Sequence, residues 1–544
     1  MFSANSDLPS PDLTYHVSPQ KVARTNRILR LASVALLAAI AWNMLWVLTN
    51  LNFGSIFQVV LSLLFAAATV FAGVLGVIHI ANTWHFRAVK PKLFTKESRP
   101  QVGALIPVWG ESISIITNTV RSVLFQRWPA DKLVVVVADD AHSDAVKAAV
   151  EEMAKTTSVQ LHYFRPPVKH SPSRRGEGKA GNLNAAKDYL MANHPHVSYI
   201  ETRDADDLVA DKHFISYCVE YLESHPKTSF VQTIKQCQVS DGDPFCNQES
   251  VFYQRTMQAK FAANAVFPCG SGLMWRRQEL EKIGGFPAWN LVEDLQSGYE
   301  ILRRGGRGAY LPIVGAMGQI APEDIPNFYK QRGTWALDSL RLLYYRNPLF
   351  TKGLTLMQKL QFLEMQLGYL FGFAMAVFVG EILLSLFLGV TPVVSPGPDY
   401  LLHLLVIAVA IETHMVARAR GIGYKEQQLA RQTWIGLTPV FIKAAFLALW
   451  YGPHRKPRYK VTKKYHTVGW YWRETLIQSV TFAALMAAVI YSMLTSHGDP
   501  LRVVSLQYWA LFLAYSFSRV ITNSWHNYKL PLPRLFARRA RTAS

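Results

Sequence analysis

Cysteine is scarce in this chain of 544 residues, which contains only four. Cys218, Cys237, Cys246 and Cys269 are not arranged in the paired short spacings that structural zinc sites use. All four fall in the segment that we predict below to be cytoplasmic, where disulfides are rare. The pattern excludes a zinc module and predicts free thiols.

Acidic residues are outnumbered, since 57 Lys and Arg face 37 Asp and Glu and give a net charge of +20. Such an excess is typical of nucleic-acid binding, or of an anionic membrane face with anionic small substrates. Much of it flanks apolar runs, where each Lys or Arg gains ~1 kcal/mol from anionic lipid. The sequence has no zinc-finger, RNP or helix-turn-helix pattern. We therefore expect a lipid bilayer and no nucleic acid as partner.

Long apolar runs are abundant, and half of all residues are hydrophobic. A run of about 20 apolar residues crosses a hydrocarbon core of ~30 Å. Six runs are predicted spans: residues 31–48, 56–78, 367–389, 401–416, 475–494 and 503–522. The intervening polar stretch is long enough to bury its own core. We predict an N-terminal tail with two spans (1–94), a soluble domain (95–355) and a C-terminal membrane domain with four spans (356–544).

The distribution of Lys and Arg predicts the orientation, because positively charged loops stay in the cytoplasm. Lys21, Arg24, Arg27 and Arg30 precede the first span, and the connector at residues 50–55 carries no charge. We therefore expect a multi-pass plasma or inner membrane protein whose termini and soluble domain are cytoplasmic. The polar leader is long and no small-residue cleavage pattern follows the first apolar run, so we expect that span to be retained.

A seventh apolar run, residues 434–450, conflicts with this topology because it has basic flanks on both sides and Lys443 in its middle. Both flanks favour the same side of the membrane. We predict an interfacial or re-entrant helix at about residues 425–452, because an amphipathic segment with basic borders can lie in the headgroup plane. An ordinary span is the alternative.

Strand-like runs alternate with helical patterns through the soluble domain, which predicts an α/β fold with a mostly parallel sheet and helices on both faces. Ligands of such sheets gather at the carboxyl ends of the strands. Two predicted strands end in acidic pairs, Asp139 with Asp140 and Asp204 with Asp206. Each Asp alone is also typical of a helix cap or turn.

The D-x-D spacing of Asp204 and Asp206 lets both carboxylates address one hard cation. A Mg²⁺ or Mn²⁺ ion held by one or two carboxylates usually completes its shell with water and substrate phosphate, which points to a nucleoside diphosphate substrate. Lys179 precedes a predicted helix start, a typical anion site, although a basic surface loop is the alternative. Glu293 and Asp294 open another helix, either as caps or as a general base.

Seven motifs occur in one order: IPVWGE, VVVADD, KAGNLN, RDADD, FPCGSG, VED and QRGTW. In this order they resemble the processive, inverting glycosyltransferases of family 2, closest to the bacterial cellulose synthase catalytic subunit. The likeness is strong over residues 100–345. YKVTKK, residues 459–464, resembles the gating loop of those synthases, here expected at about 455–468. The resemblance implies a cytoplasmic GT-A glycosyltransferase domain inserted in an α-helical transmembrane domain of about six spans plus interfacial helices.

The resemblance also implies roles for the residues that match the motifs. Asp294 would be the catalytic base, with Glu293 beside it, and Asp204 and Asp206 would hold the Mg²⁺ or Mn²⁺ ion. The UDP-sugar would contact Trp109, Glu111, Asp139, Asp140, Lys179, Asp204, Arg332, Thr462 and Lys463. The growing polysaccharide acceptor would contact Cys269, Gln331 and Trp335.

One letter departs from the family pattern, because Thr334 replaces the arginine of QxxRW. Losing a charged hydrogen bond to the diphosphate would cost ~1.5 to 3 kcal/mol. We expect activity to survive, with altered donor affinity or product. The predicted function is synthesis and export of a β-linked polysaccharide from a UDP-sugar, with UDP-glucose favoured and an accessory export or regulatory subunit as a further partner. The alternatives are a non-processive transferase acting on a lipid carrier, and a catalytically silent scaffold.

Overall fold

The computed structural model describes residues 19–455, 457, 468–495 and 498–526. Its α-helices are α1 (Pro19–Thr49), α2 (Ile56–Thr83), α3 (Ile113–Leu124), α4 (Asp144–Lys155), α5 (Gly178–Asn193), α6 (Phe214–Ser224), α7 (Met257–Ala262), α8 (Arg277–Lys282), α9 (Glu293–Arg303), α10 (Ile325–Tyr345), α11 (Leu356–Leu388), α12 (Gly397–Arg418), α13 (Tyr424–Gly436), α14 (Thr438–Tyr451), α15 (Leu476–Thr495) and α16 (Pro500–Asn523). Its strands are β1 (Gln101–Val108), β2 (Leu133–Asp139), β3 (Gln160–Phe164), β4 (Val197–Thr202), β5 (Asp207–Leu208), β6 (Thr228–Cys237), β7 (Leu273–Arg276) and β8 (Arg307–Gly318).

The soluble domain is built on one eight-stranded sheet with the order β3-β2-β1-β4-β7-β6-β8-β5. β3, β2, β1 and β4 are parallel to one another, as the sequence predicts. All seven residues of β2 are buried, which is typical of a parallel strand covered on both faces. The other half is mixed, because β7 runs antiparallel to both β4 and β6. The prediction of a mostly parallel sheet is therefore wrong for this half. A curled mixed sheet flanked by helices is a GT-A-like glycosyltransferase fold, as the resemblance implied.

The strand register brings the acidic motifs to one edge of the sheet. Val108, the last residue of β1, is paired with Asp139, the last residue of β2. β4 lies on the other side of β1 and ends at Thr202, just before Asp204. Since the carboxyl ends of parallel strands meet at one edge, this register brings the ends of β2 and β4 to the same cleft.

Five helices are long and apolar enough to cross a membrane: Gln20–Thr49, Ile56–Thr83, Leu356–Leu388, Gly397–Arg418 and Leu476–Thr495. They coincide with five of the six predicted spans. The sixth predicted span forms α16, which has 24 residues but is less apolar and carries Arg502 and Arg519. α16 packs against α11, α12, α13 and α15. Part of its surface therefore contacts protein, where polar side chains are tolerated better than against lipid.

The loops of the membrane helices fall at two ends. Leu51, between α1 and α2, bridges to Val393, between α11 and α12. Asp499, just before α16, lies against Gly397 at the start of α12. These loops share the end that is far from the soluble domain. α16 ends at the opposite side, where Asn523 donates to the backbone oxygen of Pro244 at 2.8 Å.

The seventh apolar run forms a bent pair, α13 and α14, with an angle of 51° between them. Such a pair is a broken span or a re-entrant loop. α12 ends beside the soluble domain, where Arg255 donates to the backbone oxygen of Arg418. After α14 the chain returns to that domain, since Arg341 donates to the backbone oxygen of Gly452. Both ends of the pair therefore lie on one side, which is what the predicted interfacial or re-entrant segment requires.

The ionisable residues inside the predicted spans make contacts between or along helices. His403 stacks between Trp42 and Trp46, with ring centroids at 4.0 and 4.3 Å. Glu412 pairs with Arg431, and the Ser385 hydroxyl donates to Glu381 at 2.8 Å. His403 and Glu412 therefore join neighbouring helices, whereas the Glu381 contact lies within α11.

Candidate active site

The acidic pair after β2 is fixed by its own loop. Both carboxylate oxygens of Asp139 accept backbone N–H groups, from Ala141 at 2.9 Å and Ser143 at 2.7 Å, and the Tyr163 hydroxyl donates to it at 3.0 Å. Asp140 forms a two-pronged ion pair with Arg174, with N–O distances of 2.5 and 2.9 Å. These contacts fix the loop that the predicted uridine pocket would use. The donor contacts of both residues stay predictions.

Trp109 and Glu111 follow β1 at the same edge. The Glu111 carboxylate accepts the backbone N–H of Trp109 at 2.7 Å, which closes a tight turn. Trp109 is 44% exposed, and the ammonium group of Lys169 lies 3.2 Å from its ring centroid. A flat exposed ring with a cation above it can stack on a base. The predicted donor pocket is thus open at Trp109.

Lys179 is the centre of the cluster that joins the separate motifs. It lies in the first turn of α5, and its ammonium group is 2.5 Å from Asp204 and 3.1 Å from Glu293. It also donates to the backbone oxygen of Gly270 at 3.4 Å. Lys179 of the KAGNLN motif thus contacts the RDADD, VED and FPCGSG motifs. Four of the seven motifs therefore lie together in space.

The charges of this cluster depend on one another. Burial alone would lower the pKa of Lys179, but Asp204, Glu293 and Asp294 raise it above its ordinary value. Burial alone would raise the pKa of Asp204, but Lys179 and Lys235 hold it well below its usual range. Lys179 is therefore a permanent cation and Asp204 a permanent anion at neutral pH.

Asp294 differs from the other carboxylates of the cluster. Burial, and then the charge of Glu293, raise the pKa of Asp294 to about 8, although Lys179 lowers it in part. One of its oxygens accepts the backbone N–H of Leu295 at 2.6 Å. A carboxylate whose pKa lies near the working pH is suited to take a proton from an attacking hydroxyl. Its place in the first turn of α9 was predicted, whereas its raised pKa could not be.

Gly270 leaves room for both the Asp294 carboxylate and the Lys179 ammonium group. Its φ of +84° is unfavourable for other residues. A Cβ atom at this position would lie 3.1 Å from both the Asp294 carboxylate and the Lys179 ammonium group. Cys269 precedes it and is held by a hydrogen bond from its backbone N–H to Gln232 at 2.7 Å. Burial, and then Asp294, raise the pKa of the Cys269 thiol, so it is protonated at neutral pH. Its acceptor contact stays a prediction.

The RDADD motif is held by a second lysine that the sequence analysis did not identify. Lys235, near the end of β6, lies 2.9 Å from Asp204 and 2.7 Å from Asp207. Asp206 is 8% exposed, and its backbone oxygen accepts the N–H of Gln319 at 2.8 Å. Its charge helps to raise the pKa of Lys235. The motif is thus a tight anionic turn with lysines on two sides.

The residues present fit a divalent cation that the donor would help to bind. Among the described residues, no three His, Cys, Asp or Glu side chains form a group that could hold a metal ion by themselves. Mg²⁺ needs only one or two carboxylates when substrate phosphates complete its shell. Asp204 and Asp206 can supply these. Two ammonium groups, of Lys179 and Lys235, are surrounded by five carboxyl groups: Asp204, Asp206, Asp207, Glu293 and Asp294. An incoming diphosphate therefore needs added positive charge.

The QRGTW motif lies on α10. Arg332 forms an ion pair with Glu249, and its guanidinium lies 4.6 Å from the ring centroid of Trp335. Arg332 is thus held by an acid and an aromatic ring, and its predicted donor contact stays a prediction. The Thr334 hydroxyl donates to the backbone oxygen of Lys330 at 2.8 Å, an ordinary contact within a helix. Gln331 and Trp335 are half-buried on this helix.

α10 also holds the segment that carries the predicted base. The Asp338 carboxylate accepts the backbone N–H of Val292 at 2.7 Å, next to Glu293. Arg341 donates to the backbone oxygen of Trp289 at 3.2 Å and to that of Arg455 at 3.3 Å. Arg341 thus links the loop before α9 to the chain that leads into YKVTKK. Thr462 and Lys463 of that motif lie outside the described residues.

Four charged residues that shape the site were missed: Lys235, Asp207, Arg174 and Arg341. Asp207 is the last residue of RDADD, and Arg174 precedes KAGNLN by five residues, so a search for counter-charges near the motifs could have identified both. Lys235 lies in an ordinary strand pattern, and Arg341 lies in an ordinary helix pattern. Only the fold brings them to the site.

Comparison with known proteins agrees with this geometry. Residues 100–337 match the model of the family described as "Glycosyltransferase like family 2". The matched range begins at β1 and ends in α10, so it covers the whole sheet and the QRGTW motif. The chain therefore carries a family 2 glycosyltransferase domain.

The chain is similar to bacterial cellulose synthases. It is 26% identical over 364 residues to the UDP-forming cellulose synthase catalytic subunit of Xanthomonas axonopodis pv. citri (strain 306). The matched region covers 64% of this chain and 47% of that protein. It is 28% identical over 383 residues to the corresponding subunit of Pseudomonas fluorescens (strain SBW25). This matched region covers 68% of this chain and 49% of that protein. The chain thus spans about half the length of these relatives.

A search of solved structures finds a mannosyltransferase from Pyrobaculum calidifontis in complex with GDP-Man and Mn²⁺. The TM-score is 0.48 at 21% identity, and the match covers 78% of this chain and 99% of that one.

Proposed function

We propose that the protein is an inverting polysaccharide synthase that polymerises sugar from a UDP-sugar, with UDP-glucose the first donor to test. The product would be a β-linked polymer that leaves through the membrane domain of the same chain. The observation that carries the proposal is the cluster around Lys179. The cluster contains a cation, part of a D-x-D motif and a carboxylate with a pKa of about 8.

The proposed chemistry needs three groups. The donor's diphosphate would approach Lys179, whose ammonium group is charged at neutral pH. Asp204 and Asp206 would hold Mg²⁺ or Mn²⁺, which when bound neutralises charge on the departing UDP. Asp294 would accept the proton of the acceptor hydroxyl as that hydroxyl attacks the anomeric carbon. Attack from the side opposite UDP inverts the configuration and requires no covalent intermediate.

The position of α10 supports a polymer acceptor. α10 carries Trp335 and packs against α14 and α11 of the membrane domain. Through Asp338 and Arg341 the same helix fixes the loop that leads to Asp294. An acceptor sugar stacked on Trp335 would then lie between the base and the membrane helices. We also propose, from the basic residues in the first turns of α1, that the glycosyltransferase domain is cytoplasmic.

The test uses the full chain in lipid nanodiscs, with Mg²⁺ or Mn²⁺ and a panel of labelled UDP-sugars. UDP release reports transfer, gel filtration reports product size, and linkage-specific glycanases identify the product. Asp294→Asn should reduce UDP release by roughly 10² to 10⁴-fold, the usual contribution of a general base. Asp188→Asn is the matched control, because Asp188 lies on α5 in an exposed pair with Arg175. Equal rates in the two variants would contradict the proposal.

One observation favours a catalytically silent scaffold as second candidate. Thr334 offers no positive charge to the diphosphate, and Arg332, two residues away, is paired with Glu249. If wild-type protein binds a UDP-sugar but releases no UDP with any donor or metal in the panel, the scaffold is correct. Release of UDP together with products of one added sugar would instead identify a non-processive transferase.

A further inference from the structure

A large apolar groove lies in the membrane domain, away from the candidate active site. It has a volume of about 840 Å³ and runs between α1, α12 and α16. Its walls include Leu31, Val409 and Tyr508, which are 71, 62 and 40% exposed. Alanines at positions 32, 35 and 408 give it depth. α1 and α12 are both candidate membrane spans, so the groove opens to lipid hydrocarbon.

The groove covers only part of the depth of a bilayer, because its longest wall, Leu404 to Ala417 on α12, is roughly 20 Å long against a hydrocarbon core of ~30 Å. Its lining on α1 runs from Ile28 to Ala35, and an adjoining smaller recess extends it to Ala39. A helix rises ~1.5 Å per residue, so this stretch is roughly 16 Å long, about half of a ~30 Å hydrocarbon core. The acyl chains of one leaflet have this reach. A transmembrane helix of a partner would need a contact surface across the full core.

The groove's mouth is positively charged and lies beside the glycosyltransferase domain. Arg420 lines it, and the backbone oxygen of Arg420 accepts a hydrogen bond from Arg255 of that domain. Arg24 and Arg27 precede Ile28 and Leu31 by four residues, which places them on the same helix face one turn nearer the mouth. All three of these arginines are exposed. Among the described residues, none of the three forms an ion pair with an acid.

The one acid in the lining does not cancel this charge. Glu412 forms an ion pair with Arg431 and accepts a hydrogen bond from the Tyr424 hydroxyl. Its negative charge is therefore matched by a residue of α13. The three mouth arginines remain to attract an anion at the level of the lipid headgroups.

We propose that this groove is a binding site for one anionic phospholipid of the leaflet that faces the glycosyltransferase domain. The acyl chains lie along α1 and α12, and the phosphate lies among Arg24, Arg27 and Arg420. This site is independent of the sugar chemistry. Its occupancy is set by headgroup charge and by the free width of the groove.

Native mass spectrometry of the full chain tests the proposal, after exchange into detergent with phosphatidylglycerol or phosphatidylcholine of equal chain length. Wild-type protein should retain one phosphatidylglycerol at detergent concentrations that remove phosphatidylcholine. The triple variant Arg24→Gln, Arg27→Gln, Arg420→Gln should weaken this retention at least tenfold. The matched control removes three exposed charges from the chain just after α2: Lys90→Gln, Lys92→Gln and Lys96→Gln. It should retain the lipid.

A second pair of variants separates the groove from the charges. Ala35→Phe fills the groove and should abolish retention of the bound lipid, whereas Ala38→Phe adds the same ring at an exposed position outside the lining and should not. Four outcomes would overturn the proposal. They are equal retention of both lipids, equal loss in the arginine and lysine variants, unchanged retention in Ala35→Phe, and retention of a partner's transmembrane helix in place of lipid.

Discussion

The rate should rise with pH through one ionisation that belongs to Asp294. Burial, followed by the charge of Glu293, raises the pKa of Asp294 to about 8. A general base works only when it is ionised, and a carboxyl group with a raised pKa is protonated below that pKa. Lowering the pH through about 8 should therefore remove activity, whereas an ordinary aspartate would stay active to a pH near 4.

The size of the effect follows from the pKa. A value of about 8 leaves roughly one tenth of Asp294 ionised at pH 7 and roughly one hundredth at pH 6. Since kcat/KM reports the free enzyme, its logarithm should rise with a slope near one from about pH 6 to about pH 8 and then level off. Glu293→Gln removes a charge that raises this pKa. The rise should then move to lower pH.

The assay is initial-rate UDP release by wild type and Glu293→Gln, across this range at constant ionic strength. Glu152→Gln is the control, because Glu152 is 69% exposed on α4 and its removal should leave the profile unchanged. Glu293 also contacts Lys179, so donor KM is measured separately from kcat/KM. A flat profile in wild type, or identical profiles in wild type and Glu293→Gln, would refute the assignment of Asp294 as base.

Three further changes test the donor site. Thr334→Arg should lower the donor KM roughly tenfold or more, since a charged hydrogen bond contributes ~1.5 to 3 kcal/mol, whereas Thr334→Leu should not. Lys235→Gln should raise the donor KM by a similar factor, because the Asp204 carboxylate loses a counter-charge and repels the diphosphate. Lys235→Arg should preserve the donor KM. An unchanged donor KM in Lys235→Gln would contradict the role of Lys235. Gly270→Ala should reduce kcat at least tenfold by crowding Lys179. Gly242→Ala, at a φ of +77° with open space around it, controls for backbone strain, and equal loss in the two variants would make crowding irrelevant.

The sequence predicted the half of the fold that simple patterns describe. β2 and β4 were predicted because each is a short apolar run that ends next to acidic residues. β8 was missed, since Pro312 and three glycines interrupt its pattern, and a proline inside a run argues against a strand. β5 has only two residues. β7 reverses the direction of the sheet through long-range pairing, which local periodicity does not encode.

The same limit applies to the site. The convergence of Asp204 and Lys179 was predictable, because strand ends and helix starts of an α/β sheet meet at one edge. Lys235 was not, since it is 31 residues from Asp204 and only the pairing of β6 with β7 and β8 brings it close. The letters VED show that Glu293 is next to Asp294, but they do not show the burial that contributes most to the raised pKa of Asp294.

The charges of the site explain why a missing arginine need not abolish activity. With Asp294 protonated, four carboxylates still face two lysines, so the cleft remains negative before the donor arrives. A diphosphate adds further negative charge, and one arginine at position 334 would offset only part of it. Cations from outside the cluster are needed in any case. The proposed metal ion and the predicted Lys463 would supply them. The replacement at Thr334 should therefore weaken donor binding by a limited factor and leave the step at Asp294 intact.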